Sequence, residues 1–117
     1  MDPRNDRIDY VEIATRDVAA SKQFFANLVD WEFVDYGEDY ASFHDGHIDG
    51  GFGLGEPGAG TLPVLFMEDL VSSRTRVLEL GGVITKDIFS FPGGHRFEFT
   101  DPGGAGFGIW SDKHDPG

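Results

Sequence analysis

The chain has 117 residues, no cysteine and a formal net charge of −12, with ordinary fractions of hydrophobic (39%) and charged (26%) residues. This length suffices for one compact globular domain. The missing cysteines exclude disulfides and thiolate metal ligands, and the negative charge disfavours partners that are bound through phosphate, such as nucleic acids and anionic membranes. No apolar run approaches the roughly 20 residues of a membrane helix, and the N-terminus lacks the apolar segment of a signal peptide. We therefore expect a cytoplasmic protein without a nucleic-acid or membrane partner.

The first half of the chain predicts one strand, one helix and three further strands. Asp17 is a suitable N-cap for the helix, whose apolar face includes Phe24, Phe25 and Leu28. Short Gly- and Asp-containing segments separate the strands. The predicted elements are a strand over 8–15, a helix over 18–29, and strands over 31–36, 40–45 and 47–55.

The second half predicts the same order of elements. Asp69 is the corresponding N-cap, and Gly81-Gly82 is a typical signal for the end of a helix. Two further parallels support a duplication: RDVAAS resembles EDLVSS, and GGFGLG resembles AGFGIW. The predicted elements are a strand over 62–67, a helix over 70–80, and strands over 83–90, 95–100 and 106–111.

The duplicated βαβββ pattern predicts an α+β fold with helices outside a sheet. We expect a single domain over residues 1–117, with module one at about 7–56 and module two at about 61–112. Within the last strand, Gly108 interrupts an apolar run, which often marks a close approach to the backbone.

The sequence resembles the vicinal oxygen chelate superfamily, which includes glyoxalase I, bleomycin-resistance proteins and extradiol dioxygenases. The resemblance is carried by YVEIATRDVAASKQFF, by WEF after the helix, by FPGGHRFEFTDPGGAGFGIW, and by the duplication. It implies a curved mixed sheet, a half-barrel enclosing a cleft, and frequent homodimers. The scaffold hosts many reactions, so the resemblance alone names none.

The resemblance also implies where a metal ion would be held in relatives that use one. The first-strand positions are occupied here by Tyr10 and Leu62, and the last-strand positions by Gly53 and Gly108. Leucine and glycine offer no side-chain donor, and a neutral phenol is a weak one. We therefore expect no metal and no other cofactor, with Gly108 leaving space in the cleft.

Strand alternation predicts which side chains face this cleft. Glu12 and Glu98 are candidate general acid/base residues, although either could instead form an ion pair with Arg96. An apolar pocket with a few polar groups is typical of a small-molecule site. The candidate ligand-binding residues are Tyr10, Leu62, Val64, Phe66, Arg96, Gly108 and Trp110.

These features predict a protein that binds or sequesters a small organic compound. The alternative is a lyase or isomerase related to lactoylglutathione lyase, either metal-free or with relocated metal ligands, which uses Glu12 or Glu98 for proton transfer. Whether any reaction is catalysed stays open at this point. Residues 90–95 could form a flap over the site, or a plain turn.

Overall fold

The structure is a computed structural model and describes residues 2–57 and 60–113. Over these residues the elements follow the order βαβββ twice, and each begins and ends within two residues of its predicted position. The first half contains β1 (Arg7–Thr15), α1 (Val18–Leu28), β2 (Glu32–Asp35), β3 (Tyr40–His44) and β4 (Asp49–Leu54). The second half contains β5 (Leu62–Phe66), α2 (Leu70–Glu79), β6 (Val83–Phe91), β7 (Gly94–Thr100) and β8 (Gly106–Ser111). The predicted α+β fold is confirmed.

The chain divides into two compact units. We call Tyr10–Leu62 the first unit, and the described residues up to Asp9 and from Pro63 onward the second unit. The N-terminal residues thus belong to the same unit as β8, although more than half of the chain separates them in sequence.

In the first unit the strands lie in the order β2-β3-β4-β1, with β1 parallel to β4 and the other pairs antiparallel. Ala41, Phe43 and Phe52 are buried on one face and pack with Val18 of α1. Trp31 extends this core, with its ring stacked 4.6 Å from that of Phe43. Val11 and Ile13 pack against this core, so alternation leaves Tyr10 and Glu12 of β1 on the opposite face.

In the second unit the order is β5-β8-β7-β6, with β5 parallel to β8. Phe97 and Ile109 are buried with Leu70 of α2. The prediction that Phe97 faces the helix is confirmed. Arg96 and Trp110, one position away on β7 and β8, consequently lie on the other face of the sheet.

Both helices begin where the sequence predicts. Asp17 accepts a hydrogen bond from the Ala20 N–H at 3.0 Å, and Asp69 accepts one from the Ser72 N–H at 3.0 Å. After α2, Gly81 adopts a φ of 93°, a left-handed conformation that glycine takes without strain. Neither helix of the described chain has the length and apolar character needed to cross a membrane.

Residues 90–95 form a tight turn instead of a loop. Phe91 pairs with Gly94, so Pro92 and Gly93 alone connect β6 to β7. Gly93 has a φ of 111°, which suits glycine at this turn position. The flap considered from the sequence therefore has no loop from which to form.

Candidate ligand-binding site

Four aromatic rings form a row on the face of the second unit opposite α2. Cross-strand pairing brings Phe66 beside Trp110, and the ring centroids lie 5.2 Å apart in an edge-to-face arrangement. Phe91 lies 6.4 Å from Trp110, and Phe89 lies 6.2 Å from Phe91. These spacings are those of interacting aromatic pairs. We call these four residues the aromatic row.

Two local features of the backbone make the row possible. The pairing of β6 with β7 shifts in register between Lys86 and Phe89, so both residues lie on the same face. Gly94 leaves the space that Trp110 needs, since a Cβ at this position would lie 3.3 Å from Cε3 of the indole and 2.4 Å from the Ser111 carbonyl oxygen. Any larger residue at position 94 would collide with the backbone of β8.

Two cations flank the Phe89 end of the row. The Lys86 ammonium lies 4.1 Å from the centroid of the Phe89 ring, and the Arg96 guanidinium lies 5.2 Å from it. Arg96 also forms an ion pair with Glu98 at 3.0 Å, and their side chains are 16% and 24% exposed. The sequence allows an ion pair with Arg96 as one role of Glu98, and the structure contains this ion pair.

Trp110 is held in place by a carboxylate. Its indole Nε1–H donates a hydrogen bond to Oδ1 of Asp9 at 2.9 Å. The ring is half-buried, as are Phe89 and Phe91. The indole orientation is therefore fixed while part of the row remains accessible to solvent.

The other end of the row is covered by the N-terminal segment. The guanidinium of Arg4 lies 4.0 Å from the centroid of the Phe66 ring and 5.8 Å from that of Trp110. Phe66 is 0% exposed. Arg4 forms ion pairs with Asp2 at 2.7 Å and with Asp112 at 3.0 Å. Because Asp2 is engaged by this guanidinium, the pKa of its carboxyl lies well below its usual range.

Two further candidates of the second unit, Val64 and Gly108, lie on strands that carry this row. Gly108 pairs with Val64 of β5 on one side and with Glu98 of β7 on the other, and both Gly108 and Val64 are buried. Leu62, the last residue of the first unit, is half-buried at the start of β5. The residues paired with Gly108 on the two neighbouring strands are thus Val64 and Glu98, and the Glu98 carboxylate forms an ion pair with Arg96.

In the first unit, Tyr10 and Glu12 meet through a third residue that the sequence did not single out. The Tyr40 hydroxyl donates a hydrogen bond to Oε2 of Glu12 at 2.6 Å. Because its single proton is used there, the short contact between the two phenols is donated by Tyr10 to the Tyr40 oxygen. Burial, followed by the neighbouring Glu12 carboxylate, raises the pKa of Tyr40 far above its usual range. The chain Tyr10–Tyr40–Glu12 can relay a proton between its ends.

Glycines of β4 make room for this network. A Cβ at Gly51 would lie 1.9 Å from the Tyr40 hydroxyl oxygen and 2.7 Å from that of Tyr10. At Gly53 a Cβ would approach the Tyr40 ring only to 3.4 Å, an ordinary contact. Gly51 is therefore required by the phenols, whereas Gly53 is not.

A family model for the Glyoxalase/Bleomycin resistance protein/Dioxygenase superfamily matches residues 7–109. The chain belongs to this superfamily. The match spans both βαβββ repeats and confirms the family resemblance predicted from the sequence.

Individual relatives extend this finding. The anthracycline biosynthesis protein DauV of Streptomyces sp. (strain C5) is 30% identical over 111 residues, which cover 87% of this chain but only 40% of DauV. The Mn(II)-bound glyoxalase from Novosphingobium aromaticivorans is 24% identical over 92% of this chain and 41% of its own, with a TM-score of 0.67. Methylmalonyl-CoA epimerase from Mycobacterium tuberculosis is 12% identical over 92% of this chain and 87% of its own, with a TM-score of 0.73. At these identities the solved structures show the shared fold alone.

The positions at which the resemblance implies metal ligands carry few donor atoms in this chain. Leu62, Gly53 and Gly108 have no side-chain donor, and the Tyr10 hydroxyl contacts Tyr40. Within residues 2–57 and 60–113, no three His, Asp or Glu side chains are grouped to hold a metal.

Sequence reasoning missed Phe89, Phe91, Lys86, Tyr40 and Arg4. The alternation of Phe89 and Phe91 on β6 was a usable signal, because it predicts that both rings share one face. The register shift that adds Lys86 had no sequence signal. The contacts of Arg4 and Tyr40 join residues that are distant in sequence, so no local pattern indicates them.

Proposed function

We propose that the protein binds, and thereby sequesters, a planar aromatic compound that carries a negative charge, and that it does so at the aromatic row without a metal at the superfamily's customary positions. The observation that supports this function is the row itself, three of whose rings are half-buried, with Lys86 and Arg96 beside Phe89.

The physical basis is stacking combined with a localised positive charge. Each well-placed aromatic contact contributes about 0.5–1.5 kcal/mol, which corresponds to about 2- to 12-fold in affinity. The protein as a whole repels anions because its net charge is −12. An anionic ligand is therefore favoured only where cations are in local excess, as beside Phe89, where Lys86 and Arg96 face the single carboxylate of Glu98.

The relative DauV supports the planar ring system of the proposed ligand, and the charge rests on Lys86 and Arg96 alone. Its name assigns it to the biosynthesis of anthracyclines, which are compounds built on planar fused rings. The present chain spans two fifths of DauV, so we carry over the class of compound and no activity.

A fluorescence titration with anthraquinone sulfonate tests this function. Phe91→Leu should weaken binding by about 2- to 12-fold, since one stacking partner is lost. Phe24→Leu is the matched control, because Phe24 is 59% exposed on α1 in the first unit. Cyclohexane carboxylate, an anion without a planar ring, should bind more weakly. Equal affinities for the two probes, or equal effects of the two substitutions, would contradict the proposal.

The second candidate is a metal-free enzyme for proton transfer, and the relay Tyr10–Tyr40–Glu12 favours it. Glu12 would be the base: as the Tyr10 oxygen takes up the substrate proton, the Tyr10 proton passes to Tyr40 and the Tyr40 proton passes to Oε2 of Glu12. Glu98 is the poorer candidate because its carboxylate neutralises Arg96. The reaction should appear as exchange, in heavy water, of a carbon-bound proton beside a carbonyl. Glu12→Gln should abolish it and Tyr40→Phe should slow it; exchange that survives Glu12→Gln would exclude this role.

The cytoplasmic location and the homodimer stay predictions. Sedimentation velocity of the purified chain measures the assembly directly. A monomer at all accessible concentrations would refute the homodimer.

A further inference from the structure

We propose that residues 2–4, which we call the N-terminal strap, cover the Phe66 end of the aromatic row. A ligand contacts the Phe66 ring only when the strap detaches. The proposal rests on the ligand-binding function given above. It adds a moving element that regulates access to the same site.

Arg4 occupies the space that a ligand would need. Its guanidinium lies 4.0 Å from the Phe66 centroid, which is stacking distance for a planar group. With Arg4 in this position, Phe66 is 0% exposed. A planar ligand that extends along the row from Phe89 and Trp110 therefore competes with the guanidinium for the face of Phe66.

The strap is fastened by ion pairs and by a hydrogen bond from the Asp2 N–H to Oε1 of Glu68 at 2.6 Å. Arg4 pairs with Asp2 and Asp112, and the Lys113 ammonium lies 3.2 Å from Oδ2 of Asp2. The side chains of Arg4, Asp112 and Lys113 are 37%, 35% and 46% exposed, whereas that of Asp2 is 10% exposed. Ion pairs of this kind contribute little net free energy and are screened by salt. They can therefore be exchanged for contacts with solvent or ligand.

The residues that follow the strap are held differently. The Asp6 N–H donates to the Phe66 carbonyl at 3.0 Å, and Oδ1 of Asn5 accepts from the Glu68 N–H at 2.9 Å. Asp6 has a φ of 66°, which bends the chain sharply at this point. The bonds of Asn5 and Asp6 to backbone groups anchor the base of the strap to β5 and its flank, while the strap itself is attached through the Arg4 side chain and through the bond from the Asp2 N–H to the Glu68 side chain. Detachment can thus stop at Asn5.

The experiment compares Arg4→Ala with Arg7→Ala, which removes the same charge from an exposed position of the same segment. The chain has two tryptophans, so Trp31→Phe leaves Trp110 as the sole indole reporter. In that background, Arg4→Ala should increase acrylamide quenching of Trp110 and tighten binding of anthraquinone sulfonate by about three- to tenfold. Asp112→Asn removes one ion pair of Arg4 and keeps the guanidinium. It should increase quenching and tighten binding as Arg4→Ala does, but to a smaller extent.

The outcomes separate the strap from the ligand site. If Arg4→Ala weakens binding or leaves it equal to that of Arg7→Ala, Arg4 is not a competitor and the proposal is overturned. If no variant binds the probe, the proposed function fails, and acrylamide quenching of Trp110 alone tests the strap. Greater quenching in Arg4→Ala supports the proposal that Arg4 covers this end of the row. Unchanged quenching overturns it. Circular dichroism of each variant verifies that it is folded.

Discussion

Gly51 and Gly53 lie two positions apart on β4, and replacing each by alanine should change stability in opposite directions. A Cβ at Gly51 would lie 1.9 Å from the Tyr40 hydroxyl oxygen and 2.3 Å from Cζ. The rigid phenol must therefore swing away and give up its 2.6 Å hydrogen bond to Glu12. At Gly53 the nearest ring atom lies 3.4 Å away, which an alanine tolerates.

The magnitudes follow from these contacts. Overpacking costs about 1–3 kcal/mol, and losing a hydrogen bond to a charged group costs about 1.5–3 kcal/mol. Both substitutions also recover about 0.5–1 kcal/mol, since glycine loses more backbone entropy on folding than alanine. We therefore expect Gly51→Ala to lower the free energy of unfolding by about 1.5–5.5 kcal/mol, and Gly53→Ala to raise it by up to about 1 kcal/mol.

Urea unfolding measures the two free energies, and ultraviolet titration of tyrosine supplies an independent readout. In the native protein the pKa of Tyr40 is raised by burial and then by the Glu12 carboxylate. In Gly51→Ala one further tyrosine should ionise near its ordinary pKa of about 10. Equal stabilities of the two variants, or an unchanged titration in Gly51→Ala, would refute the assignment of Gly51 to the phenol network.

Three further predictions concern the aromatic row, the pH dependence and the metal positions. Gly94→Ala should destabilise the second unit and weaken probe binding, because the added Cβ would lie 2.4 Å from the Ser111 carbonyl oxygen and displace Trp110. A probe affinity equal to that of the native chain would contradict this prediction. The hydrogen bond to Asp49 raises the pKa of His44, so this contact stabilises the fold below about pH 6.5 and its contribution is lost as the pH rises through the raised value. His44→Gln should therefore lower the free energy of unfolding in acid and leave it unchanged in alkaline buffer. A stability difference between this variant and the native chain that grows with pH would contradict the prediction. Elemental analysis after incubation with Mn, Ni, Zn and Fe should find no stoichiometric ion, whereas one ion per chain would show that other ligands hold a metal.

The order of elements and their approximate boundaries follow from local sequence. Asp17 and Asp69 accept hydrogen bonds from the first helical turns, as their N-cap positions predict. Phe97 and Ile109 are buried because alternation puts them on the helical face. These are effects of neighbouring residues on one strand or one turn, so a single sequence contains the information.

The position of Phe66 was predictable from its strand, but its burial was not. Arg4 lies over its ring, which it reaches because the N-terminal segment pairs with β5 at Phe66. The contact with Asp112 joins residues at nearly opposite ends of the chain. Such contacts are set by the path of the backbone, about which side-chain patterns carry no direct signal.

The sequence by itself therefore determined the βαβββ duplication, the superfamily and the face on which Trp110, Arg96 and Glu98 lie. The tertiary structure alone decided that Lys86 joins the aromatic row, through a register shift in β6, and that Tyr40 links Tyr10 to Glu12. The physical reason is the range of the interactions: strand alternation and helix caps act over a few residues, whereas cross-strand register and ring stacking depend on how distant segments meet.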